Sequence, residues 1–85
     1  MITLETAKRL SEALEEIKEC TECLTYFYDG EKPTTFLHVE LKEDNNICFP
    51  LTPEIAVEAL KKYLEHIEAE CKAINDKAIK EASNG

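Results

Sequence analysis

Phe49-Pro50-Leu51-Thr52-Pro53-Glu54-Ile55-Ala56-Val57 is the stretch whose reading decides the fold. An alternating, strand-like segment stops at Leu51. Thr52 is a capping residue, and Pro53 has its φ preset for the first helical position. From Val57 onward, Leu60, Leu64, Ile67, Cys71, Ile74 and Ala78 recur at spacings of three and four. That heptad seam belongs to a helix packed lengthwise against other helices. Acids precede bases by four at Glu58–Lys62, Glu68–Lys72 and Asp76–Lys80, the order that supports a helix.

Working outward from the corner, Ile47, Phe49 and Leu51 alternate inward with Cys48 and Pro50 facing away. Upstream, Thr35, Leu37, Val39 and Leu41 share one face, and Phe36, His38, Glu40 and Lys42 share the other. The tract Glu43-Asp44-Asn45-Asn46 between them tolerates left-handed backbone, so the two segments read as a β-hairpin with one apolar face. Pro50 confines its strand to an edge or an end.

The first part of the chain mirrors the last. Thr3 caps, Glu5 complements the positive helix end, and Ala7, Leu10, Leu14, Ile17, Thr21 and Leu24 form a stripe that Ala13 and Cys20 widen. The pattern predicts a helix over 3–23, an aromatic and loop segment over 24–33, a hairpin over 34–51 and a second helix over 53–81. Tyr26-Phe27-Tyr28 ahead of Asp29-Gly30 is expected as a strand-like or irregular exit from helix one. The fold class expected is α+β, a single domain of two long antiparallel helices flanking a β-hairpin (α-β-β-α). The hairpin's apolar face is expected to cover one end of the helix pair.

Helix lengths carry the expectation of assembly. About 21 residues span roughly 32 Å and about 29 span roughly 43 Å, so helix two should overhang by about two turns. The overhang would bear Ile74 and Ala78 with no facing helix. The seam Leu60, Leu64, Ile67, Cys71, Ile74 and Ala78 is therefore expected to join a second copy in a coiled-coil-like homo-oligomer. Eighty-five residues enclose only a thin core, which oligomerisation commonly supplements.

A net charge of −8 spread along the chain argues against direct nucleic-acid binding and against a membrane surface. No apolar run approaches the ~20 residues of a membrane span, and the N-terminus lacks a signal-peptide core, so a cytoplasmic protein with free thiols is expected. Cys20-Thr21-Glu22-Cys23 is a CxxC, and Cys48 and Cys71 could complete four sulfurs. The second CxxC of a zinc module is absent, and Cys20 and Cys71 fit apolar stripes, so no metal and no cofactor is expected. At a helix end, moreover, the dipole raises a thiol pKa. His38 reads as a solvated strand residue and His66 as a flank of the seam. No nucleophile triad, no glycine-rich phosphate loop and no carboxylate pair in apolar sequence is present, so no enzyme is expected.

Three adjacent aromatics cannot all point inward. Tyr26, Phe27, Tyr28 and Phe36, with Lys32, His38 and Lys42, are the candidate surface for a ligand or protein partner.

Ile47-Cys48-Phe49-Pro50-Leu51-Thr52-Pro53-Glu54-Ile55-Ala56 running into a charged heptad helix, and the opening Ile2-Thr3-Leu4-Glu5-Thr6-Ala7, resemble small proteins encoded by tailed phages and prophages. The resemblance covers the two helices and the corner. It implies a helix-hairpin-helix oligomer of viral or prophage origin, and it implies no functional residues. The expected function is that of a non-enzymatic interaction protein, such as an inhibitor of a host defence or regulatory protein. Two alternatives stand beside it: sequestration of a signalling nucleotide by Arg9, Lys32, Lys42 and the aromatics, and a structural or scaffold oligomer.

Overall fold

The computed structural model describes residues 1–84 and has the order α1 (Leu4–Tyr28), β1 (Thr35–Glu40), β2 (Asn46–Leu51), α2 (Pro53–Asn84). It is an α+β chain in which two helices flank a two-stranded antiparallel hairpin.

Both seams are continuous heptads. On α1 the inward residues are Thr6, Leu10, Ala13, Ile17, Cys20, Leu24 and Phe27, all buried or half-buried. On α2 they are Val57, Leu60, Leu64, Ile67, Cys71, Ile74, Ala78 and Glu81. Ala13, Ile67 and Ile74 form the centre of the core, with Leu10, Ile17 and Cys71 packed around them. Small residues at Thr6, Ala13, Cys20, Ala56 and Ala78 let the backbones approach closely. Cys20 donates its S–H to the Leu60 carbonyl on the facing helix at 3.3 Å.

Three expectations are corrected here. Helix α1 does not stop near Cys23 but continues to Tyr28, because Leu24 and Phe27 extend its stripe and nothing before Gly30 breaks the helix. It ends where Gly30 turns left-handed at φ 90°: the Gly30 amide donates to Phe27 O and the Glu31 amide to Tyr26 O, the paired bonds of a Schellman motif. The aromatic run is therefore the last helical turn and not an irregular exit.

The expected overhang is also absent. The Met1 ammonium donates to the Glu81 carbonyl at 2.7 Å, and the Thr3 amide donates to the Glu81 carboxylate at 3.2 Å. The two helices thus run side by side as far as Glu81. Ile74 and Ala78 are buried within the single chain, and Ile67 is only 1% exposed. The seam expected to join another copy is spent on α1.

Finally, the hairpin does not cover the helix pair. Its register places Leu37 opposite Phe49, Val39 opposite Ile47 and Thr35 opposite Leu51 on one face. Along the strands only Thr35 and Leu51 are even half-buried. Beyond the corner where β2 runs into α2, the hairpin stands clear of the helices. The molecule measures 48 × 39 × 15 Å, which is one layer of secondary structure thick. The turn itself forms at Glu43 and Asp44, both left-handed at φ 60° and 59°. With Glu40 paired to Asn46 and the Leu41 amide donating to Asn45 O at 2.7 Å, they sit in a three-residue connection, Lys42 to Asp44.

Candidate functional site

The sequence-predicted surface residues divide into two places. Phe27, Tyr28 and Lys32 line a cleft of about 400 Å³ between the end of α1 and the start of α2, with Gly30, Pro53 and Val57. Tyr26 lies beside it, in a shallower recess with Glu31, Lys32 and Pro33. Phe36, His38 and Lys42 lie apart, on or next to β1. Phe36 stands opposite Pro50 and His38 opposite Cys48, on the face away from Leu37 and Phe49.

Helix stagger explains the cleft. The last turn of α1 presents Phe27 inward and Tyr28 outward. The first turns of α2 add Val57 to the floor, and Thr52, capping the Ile55 amide, fixes where α2 begins. Lys61 holds its ammonium 6.0 Å from the centre of the Tyr28 ring, a cation–π distance. Glu31, Glu54 and Glu58 also line the cleft, so three carboxylates share it with Lys32 in the lining and Lys61 at the Tyr28 ring. Sequence reasoning chose the aromatics and lysine and missed these acids. The spacing of Glu54 and Glu58, four apart on one helical face, was the available signal.

None of the expected Lys–Glu or Lys–Asp helix pairs closes to contact. Among the described residues the one contact between a basic and an acidic side chain is His66 Nε2 to Glu70 at 3.6 Å, with His66 stacked on Tyr63. Glu31, Glu54 and Glu58 therefore carry charge with no contact partner. Arg9 lies elsewhere, lining a recess of about 100 Å³ with Glu12, Glu16 and Glu70. The set Arg9, Lys32 and Lys42 does not converge, so the cations a nucleotide phosphate needs are not brought together.

The cysteines are all free. Cys20 is buried in the seam while Cys23 is exposed, so the CxxC splits between core and surface. Burial, and secondarily Cys23, push the Cys20 thiol up from its ordinary value. Because α1 runs on to Tyr28, the helix end expected to act on this thiol is not at Cys20. Among the described residues, no group of three or more His, Cys, Asp or Glu is placed to hold a metal ion. No helix is long and apolar enough to cross a membrane.

A second feature lies along the helix pair. Leu14, expected inside, is 54% exposed because Ala13 takes the seam position beside it. With Leu10, Ile17 and Cys71 it forms an apolar groove of about 470 Å³, edged by Glu68, Lys72 and Asn75. No family model, curated protein or solved structure matches the chain.

Proposed function

We propose that this chain is a non-enzymatic, self-associating interaction protein, in which a second copy completes the layer that one chain leaves open. The observation that carries the reading is the 15 Å thickness together with its exposed apolar faces. A stable domain encloses its core between two packed layers, and an isolated hairpin is marginal in water. Here Leu14 on the helices and Leu37, Val39, Leu41, Ile47 and Phe49 on the hairpin are all exposed. A second copy stacked on the groove of Leu10, Leu14, Ile17 and Cys71 converts the helix pair into a four-helix bundle. The surface used is the flank of the helix pair and not the α2 seam.

In this reading the assembled protein acts by binding another protein, through the end of the helix pair where the cleft and the hairpin meet. The likeness to phage and prophage chains makes a host defence or regulatory protein the natural partner. Self-association is tested by thermal melting across a hundredfold range of protein concentration. Mass action makes the midpoint of an obligate dimer rise with concentration, whereas a folded monomer melts at one temperature. A concentration-independent midpoint would count against the reading.

A further inference from the structure

We infer that the cleft between α1 and α2 receives a basic side chain, arginine or lysine, from a segment of the partner protein. This deepens the protein-binding reading and rests on it. The floor is apolar: Phe27 and Val57 offer the surface along which the aliphatic stem of a long cationic side chain lies, beside the Tyr28 ring that already carries Lys61. Around that floor stand Glu31, Glu54 and Glu58, against Lys32 in the lining and Lys61 at the Tyr28 ring, so acids still outnumber bases. Glu54 and Glu58 are like charges four apart, an arrangement that costs a helix stability unless a cation relieves it. No ion pair within the described chain does so. Glu54 also serves the positive start of α2, but Glu58, a turn further on, has no such use. The free face of the cleft thus complements a cation and repels a phosphate or a carboxylate, in keeping with a chain of net charge −8. At about 400 Å³ the space takes one such side chain with its neighbours, not a folded domain.

The test is a titration of isotope-labelled protein, followed by amide shifts, with a capped peptide of alternating arginine and alanine. A matched glutamate–alanine peptide and magnesium-ATP serve as controls. The basic peptide is expected to give saturable shifts at residues 27–32 and 54–58, absent with both controls. Glu54→Gln with Glu58→Gln, checked for unchanged helicity, is expected to weaken binding roughly tenfold. No saturable shift at millimolar peptide overturns the inference. So does an equal or larger response to the acidic peptide or to ATP, or a response confined to the hairpin. Because the cleft is built within one chain, a monomeric mass would sink the self-association reading and leave this result standing.

Discussion

Thr6, 2% exposed on α1, donates its hydroxyl proton to the carboxylate of Glu81 in the last turns of α2 at 3.1 Å. The Thr3 hydroxyl in turn donates to Thr6 at 2.9 Å, while accepting from the Thr6 amide as the helix cap. A buried hydroxyl is costly without partners, and these bonds hold the open end of the helix pair in register. Thr6→Val keeps the volume and deletes the hydroxyl. It is expected to cost about 1 kcal/mol, read as a fall of roughly 4–8 °C in the melting midpoint followed by circular dichroism.

The same contact is expected to make the fold acid-sensitive. The Thr3 amide holds the Glu81 carboxyl below the ordinary glutamate range; partial burial opposes it, and the Thr6 hydroxyl and Lys77 add to it. A carboxyl depressed in the folded state contributes stability above its unfolded pKa and loses it as pH falls through the folded one. The midpoint is therefore expected to drop on acidification below about pH 4.3, the unperturbed glutamate value. Glu81→Gln should start lower at neutral pH and show a shallower drop. Parallel curves for the two proteins would remove Glu81 as the cause.

Gly30 is the stop of α1. Nothing lies within 4 Å of the position a Cβ would take, so the only penalty of a side chain is the left-handed backbone at φ 90°. Gly30→Ala is expected to cost about 1 kcal/mol in urea unfolding. A neutral substitution would show that the Schellman turn is not held.

The core is thin enough that one residue governs it. Ile67, 1% exposed, sits against Ala13 and Ile74 at the middle of the helix pair. Ile67→Ala is expected to cost about 2–5 kcal/mol, a large share of what a small domain has. Loss of the cooperative urea transition is the expected reading at physiological temperature.

How much of this was legible from the residues varies along the chain. Thr52-Pro53, the alternation from Thr35 to Leu51 and the heptads of α2 sufficed for helix, hairpin, helix. The end of α1 was missed because Tyr26-Phe27-Tyr28 has strand-like propensity, while Leu24 and Phe27 quietly continue the helical stripe. The false overhang came from comparing lengths alone: the helices still differ by seven residues (25 against 32), but Met1, Thr3 and Thr6 reach Glu81, so Ile74 and Ala78 fall opposite α1. The phase of α1 was also blurred. Hydrophobicity favours Leu14 over Ala13 as the inward residue, but close helix approach selects the small side chain and turns Leu14 outward. The cleft was half visible: its aromatics stand adjacent in sequence, whereas Glu54 and Glu58 join them only through the antiparallel return of α2.

Leu14 is thus the residue on which the account of assembly turns. Leu14→Glu places a charge in the apolar groove without touching the Ala13–Ile67–Ile74 core. The most direct measurement is the solution mass by light scattering, at micromolar concentration, of the wild-type chain and of Leu14→Glu. The wild type is expected at twice the chain mass or a higher multiple, and the variant lighter with its helicity retained. A wild-type protein that is folded and has the mass of one chain would contradict the claim that a second copy completes the layer.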